Sequence, residues 1–223
     1  MEATSEISGG ILRKDYMEAA SVCQPNYEMT TETSTGAMLE RPKRADARRN
    51  YEKVLAAARE AFAEGGESTA LEEIARRAGV GIGTLYRHFP NRQALLEALY
   101  VNEVEEVCRS ASDLDGGDPW EALNGWFERL MGYFATKRAL SHELLNYVGQ
   151  DAPLFSSCRQ SLYTAGEPLL KRAQEAGAIR PDVQFSEVMQ MVFGIAKIPT
   201  GDPSQTEHIL RIALDGLRYR PQP

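Results

Sequence analysis

Between Leu71 and Phe89 two short apolar stripes of helical period follow each other, with only Gly79, Val80 and Gly81 between them. Leu71, Ile74, Ala75 and Ala78 recur at i, i+3, i+4 and i+7, the pattern of one buried helix face. Ile82, Leu85, Tyr86 and Phe89 repeat that spacing. Gly79 closes the first helix, because glycine enters the left-handed region without a Cβ penalty. At 100° per residue, Gly83, Thr84, Arg87 and His88 fall opposite the second stripe, with Tyr86 at the border. A short helix with an apolar underside and a Thr/Arg/His upper side can enter a DNA major groove. Gly81 and Gly83 each cost such a helix about 1 kcal/mol relative to alanine, so packing must hold its shape.

The words Gly83-Thr84-Leu85-Tyr86-Arg87-His88-Phe89, followed by Pro90-Asn91-Arg92, resemble the TetR family of bacterial transcriptional repressors. The resemblance is good from Ala45 to Glu103 and looser beyond, where Thr136 to Pro181 is similar to the SbtR-like C-terminal group. It implies that Ile82 to Phe89 is a recognition helix. Thr84, Tyr86, Arg87 and His88 are then the DNA contacts, and Gly83 lets the backbone approach closely. Arg92 stands where a basic residue usually meets a phosphate. Ala70 departs from the pattern, since a phosphate-contacting threonine is common there.

The whole chain carries a net charge of -7, which suits DNA poorly until it is divided. Residues 1–40 hold two basic and seven acidic groups, residues 41–100 eleven and eight, and residues 101–223 twelve and seventeen. The only positive part therefore contains the paired helices. Binding to phosphates depends on such local charge. Arg41 to Arg49 adds a run of five basic residues and one acid just ahead of the first helix. Arg44 and Arg48 of this arm, with Thr69 at the start of the second helix, are expected to add DNA contacts.

Three units are expected: a disordered extension over residues 1–40, a DNA-binding domain over 41–104, and a helical ligand-binding and dimerisation domain over 105–223. The extension has few large apolar residues and a polar patch from Thr30 to Gly36. Tyr51, Val54, Leu55, Ala58 and Phe62 predict a first helix ending at Gly65-Gly66, and Thr69 with Glu72 predicts a capping box on the next. Asn91 predicts the cap of a fourth helix, apolar on a wide arc through Leu95, Leu96, Leu99, Tyr100, Val104 and Val107. Asp118-Pro119 and Asp202-Pro203 are cap-plus-proline starts. A separate short helix is expected over Leu140 to Val148, and Pro168 should bend or break the helix after Pro153. The sum is an all-α fold of about nine helices.

Trp126, Phe134, Tyr147, Phe155 and Cys158 are candidates to line an apolar ligand pocket, although each alone is as well explained by core packing. Val188, Met189 and Val192 on the penultimate helix, with Leu210, Leu214 and Leu217 on the last, are candidates for a dimer interface. The alternative is that both stripes pack within one subunit. A two-fold dimer has a physical motive, because two short helices read a palindrome that one reads poorly.

No catalytic or metal constellation emerges. His142-Glu143 begins a zinc-protease word, but Asn146 replaces its second histidine. Cys23, Cys108 and Cys158 match no zinc spacing and read as reduced thiols. No cofactor, membrane span or signal peptide is expected. The expectation is a cytoplasmic, ligand-responsive regulator, a repressor, that binds palindromic double-stranded DNA as a homodimer and answers an unidentified small-molecule effector. The alternative is an all-helical dimeric module whose helix-turn-helix contacts protein.

Overall fold

The expected caps set where the helices begin. Asn91 accepts a hydrogen bond from the Ala94 amide at 2.8 Å and starts α4 (Arg92–Asp113), counting from α1 (Ala45–Gly65), α2 (Leu71–Arg77) and α3 (Ile82–His88). Asp118 accepts from the Trp120 and Glu121 amides, each at 3.0 Å, and starts α5 (Pro119–Leu145). After α6 (Pro153–Glu175) and α7 (Phe185–Ala196), Asp202 accepts from the Ser204 amide at 2.9 Å at the head of α8 (Pro203–Asp215). A short 3-10 turn, Gly66–Ser68, links α1 to α2. Gly79 takes a φ of +65° just past α2, as a left-handed helix terminus requires.

This computed structural model describes residues 41–42, 44–114, 116–149, 151–199 and 202–218. The expected extension over residues 1–40 and Cys23 lie outside them. Among the described residues there are nine helical elements, eight α-helices and the 3-10 turn, and the only β-type pairing is an isolated bridge between Ile179 and Arg218.

Three local expectations need correction. The residues expected to form a separate helix from Leu140 are the last turns of α5, which runs unbroken for 27 residues. At 1.5 Å per residue it is roughly 40 Å long. Of the bend or break expected at Pro168, the break does not occur: α6 runs on through it, with Leu162, Leu169, Leu170 and Ala173 burying both of its halves in the core. The N-cap of α2 is Ala70, with no side-chain cap, so the Thr69–Glu72 capping box does not form.

The core is built around α4. Leu95, Leu96 and Leu99 have no exposed surface, and Tyr100, Val104 and Val107 are also buried. This wide arc packs on α1 on one side and on α5 and α6 on the other. Helices α7 and α8 pack on each other and close over α5. Trp126 of α5 is fully buried, and its indole N–H donates to the Val107 carbonyl at 3.1 Å.

Gly166 of α6 lies against the Trp126 and Phe185 rings, where a Cβ would collide with both. Gly166→Ala is therefore expected to destabilise the fold by about 1–3 kcal/mol through overpacking. Urea unfolding checks this: an unchanged midpoint would show that α6 can move off the two rings at no cost.

Candidate nucleic-acid interface

A seven-residue helix resting on two neighbours hides only a narrow stripe. Helix α3 packs on α1 and α2 through Leu85, which is fully buried, and Phe89 just beyond its end. Tyr51 of α1 packs on the Phe89 ring with 4.9 Å between centroids. Ile82 and Tyr86 had been expected in the same stripe, yet they are 39% and 43% exposed. Gly83 and Arg87 are exposed beside them. The outer face of α3 is therefore Ile82, Gly83, Tyr86 and Arg87. At 100° per residue these four occupy one continuous arc.

Thr84 and His88 stand at the edge of that arc, both half-buried. The His88 ring meets Tyr51 edge-on at 6.0 Å. Burial pushes its pKa below the ordinary histidine value, so the imidazole is neutral at pH 7. Its exposed edge presents hydrogen-bonding nitrogens and little charge.

The arginines expected to meet DNA, with Thr69, separate into two groups. Arg44, Arg48 and Arg87 are exposed. Arg92 and Thr69 are turned inward. The Arg92 guanidinium pairs with the carboxylate of Glu143, donates to the Thr69 carbonyl, reaches the Gly66 carbonyl at 3.5 Å, and lies over the Phe62 ring at 4.8 Å. Its side chain is 19% exposed and that of Glu143 is 6% exposed. Thr69 is buried, and its hydroxyl donates to the Ala61 carbonyl at 3.0 Å. Sequence spacing gave no sign of this, because Glu143 is 51 residues from Arg92.

Further ion pairs hold α1 and the arm before it to α4. Arg59 pairs with Glu103 and reaches both Glu106 carboxylate oxygens at 3.0 Å. Arg41, at the start of the basic arm, binds Glu105 and, at 3.0 Å, Asn102. Burial raises the Glu103 carboxyl pKa, and Arg59 opposes that rise. Arg76 forks onto Glu73 and Arg77 donates one bond to it while also reaching Glu64, and together they hold the Glu73 carboxyl down to about 2.

The pocket candidates divide as well. Trp126, Phe134, Phe155 and Cys158 are buried, whereas Tyr147 is exposed past the end of α5 and does not join them. Tyr100 meets Phe155 edge-on at 5.3 Å, and Phe134 meets Phe193 at 4.9 Å. Of the dimer candidates, Val188, Met189, Val192, Leu210 and Leu214 are buried in their own subunit, and Leu217 is half-buried. Among the described residues of these helices, Gly194 and Ile212 are exposed, and Met191, Phe193, Ala196 and Ile198 on or just after α7 and Ile209 and Ala213 on α8 are half-buried. Ile212 is 59% exposed.

Among the described residues no helix is long and apolar enough to cross a membrane, and no three His, Cys, Asp or Glu side chains gather as a metal site. A glycine turn, a short helix with an open outer face, and a helical bundle behind it define a helix-turn-helix transcriptional regulator. Residues 54–99 match the profile of the bacterial regulatory proteins of the tetR family, and residues 118–219 match the SbtR-like transcriptional regulator C-terminal domain. A TetR transcriptional regulator of Streptomyces coelicolor is 39% identical, with a TM-score of 0.69 over 76% of this chain and 98% of that one. A TetR regulatory protein of Mycobacterium vanbaalenii is 33% identical, with a TM-score of 0.67 over 79% and 99%. The chain belongs to the TetR family. The HTH-type transcriptional repressor KstR of Mycolicibacterium smegmatis is 30% identical over 44% of this chain and 47% of its own length. An HTH-type transcriptional regulator of Staphylococcus aureus is 31% identical over 34% and 40%. The matches span about half or less of the length of these curated relatives.

Thr69→Val keeps the shape but removes the donor to the Ala61 carbonyl. The expected outcome is a loss of about 1 kcal/mol of stability, with DNA affinity of the folded protein unchanged. Denaturant unfolding and titration with DNA, run side by side, check it. Intact stability with weakened DNA binding would put Thr69 back on the DNA surface.

Proposed function

We propose that this chain is a ligand-responsive repressor that binds a palindromic operator as a homodimer. The open arc of Ile82, Gly83, Tyr86 and Arg87 on α3, inside the segment that matches the tetR profile, carries this reading. Residues at the start of a recognition helix meet base edges, and apolar side chains there contact the thymine methyl group. Ile82 opens the helix, Tyr86 lies one turn further on the same face, and both are exposed. Thr84 and His88 flank them as polar readers. Arg87, Arg44 and Arg48 supply phosphate contacts. Repression is supported by the similarity to the transcriptional repressor KstR. The work belongs in the cytoplasm, where bacterial DNA lies.

In this reading residues 41–104 form the DNA-binding domain and residues 105–223 the ligand-binding and dimerisation domain, with α4 continuous between them. The ring cluster of Tyr100, Tyr133, Phe134, Phe155 and Phe193 suits an apolar effector. Such an effector releases DNA only by binding the DNA-incompetent conformation more tightly. A tenfold loss of DNA affinity needs about 1.4 kcal/mol of that preference.

Selection of bound sequences from random DNA tests the reading, with a palindromic consensus as the expected result. Failure to enrich any sequence would favour a helical protein-interaction module. Ile82→Ala should remove a thymine preference that uracil substitution in the DNA also removes. Arg87→Ala should weaken all sequences and reduce the salt slope by about one. A consensus untouched by changes at Ile82, Thr84, Tyr86 and His88 would place the reading face elsewhere.

The same proposal puts the subunit contact on Ile209, Ile212 and Ala213 with Met191, Gly194 and Ile198. Ile212→Glu would place an unpaired charge there. The expected product sediments as a folded monomer and binds the palindrome far more weakly. A dimer that survives this substitution would exclude the α8 face.

A further inference from the structure

The reading unit is joined to the bundle along the chain only through α4. Packing of α1 on α4 and the Arg41 and Arg59 pairs hold the unit to this one helix, so its pose on the rest of the bundle depends on contacts off the helix axis. Two recognition helices must meet half-sites at a fixed separation, about 34–36 Å for sites one turn apart. Variation in that pose would blur the separation. A second, off-axis attachment removes it, and Arg92 is placed to provide one.

Arg92 opens α4, and its guanidinium touches three parts of the molecule at once. It binds the Thr69 and Gly66 carbonyls of the α1–α2 connection, lies over Phe62 near the end of α1, and pairs with Glu143 at the far end of α5. Glu143 is an acidic side chain that is buried, and α5 also packs on α1 and on the 3-10 turn there. A planar fork is suited to such a junction, since its donors hold fixed directions. The pair joins the turn that carries α2 and α3 to the long helix that runs back into the bundle.

We propose that Arg92 and Glu143 form a clasp that fixes the pose of the reading unit on the bundle and so sets the half-site spacing the dimer accepts. Both are positioning residues and touch no base. The inference rests on the paired-operator reading above.

The test uses the full chain and duplexes carrying the half-site selected by the unmutated protein. The two inverted copies are moved apart one base pair at a time. The unmutated protein should prefer one spacing sharply. Glu143→Gln keeps the side-chain shape and Arg92's carbonyl contacts but removes the charge. Its preference between the best and the next spacing should fall by about fivefold or more, the low end of ordinary coupling between sites. Arg92→Gln should do the same. Affinity for an isolated half-site should stay within about twofold, because the outer face of α3 is unchanged. If Glu143→Gln fails to fold, Arg92→Lys, which keeps the charge without the fork, is scored by the same ratio. A spacing preference retained in the folded variants overturns the inference. So does loss of isolated half-site affinity, which would make Arg92 a support of the reading unit's own fold. An unmutated protein without any spacing preference overturns the paired-operator reading and the clasp with it.

Discussion

Burial of α4 on both sides is the constraint on which the rest depends. Residues 45–89 form three helices whose own core is small, resting on Val54, Ala58, Phe62, Ile74, Leu85 and Phe89. A unit of that size buries too little surface to be robust alone. Leu95, Leu96 and Leu99 add side chains worth about 1.5–3 kcal/mol each when fully buried. They belong to the helix that also packs against α5 and α6. The reading unit thus draws stability from the same element that could carry a signal to it. A change in the bundle that shifts α4 cannot leave the helix-turn-helix untouched.

Hydrophobic packing alone would not fix the angle between the two parts, because it has little directional preference. Directed contacts are laid over it along one flank of α4. Arg41 and Arg59 tie the basic arm and α1 to Asn102, Glu103, Glu105 and Glu106, while Arg92 ties the α1–α2 connection to Glu143. The exposed members of this set add little, since solvent and salt screen them. The Arg92–Glu143 pair is different. Breaking a pair that is taken out of water costs about 3–5 kcal/mol, because a charge is left buried without compensation. Its geometry is costly to lose, which is what an orienting contact requires.

The helix-turn-helix was legible in the sequence because its turn chemistry and stripes are local. Gly79, Asn91, Asp118 and Asp202 announced their caps or terminus correctly, since each acts on its own backbone within three residues. Errors arose where a distant neighbour decides. Thr69 has the sequence of a capping residue, but the Ala61 carbonyl captures its hydroxyl. Pro168 could have broken its helix, but flanking leucines keep both halves in the core. Arg92 has the sequence of a phosphate contact, and only the return of α5 supplies Glu143. Periodicity also marked Val188, Met189, Val192, Leu210 and Leu214 as one apolar face each. It could not say that the face belongs to the subunit's own core.

The same limit reshapes the reading face. Two supporting helices cover about one stripe of α3, so the apolar Ile82 and Tyr86 remain outside and Thr84 and His88 move to the edge. Several arginines nearby are engaged by carboxylates, as Arg76 and Arg77 are by Glu73. Fewer cations are then available to displace counterions from DNA, and that displacement supplies the sequence-independent part of affinity. A chain of net charge -7 gains still less from long-range attraction. On the proposed reading, selective binding by such a surface comes from fit: apolar contact with base edges at Ile82 and Tyr86, backbone approach at Gly83, and two copies held at one separation. In that reading an off-axis hold on the helix-turn-helix matters more here than it would in a strongly basic protein, where charge alone would keep a misplaced helix on its DNA.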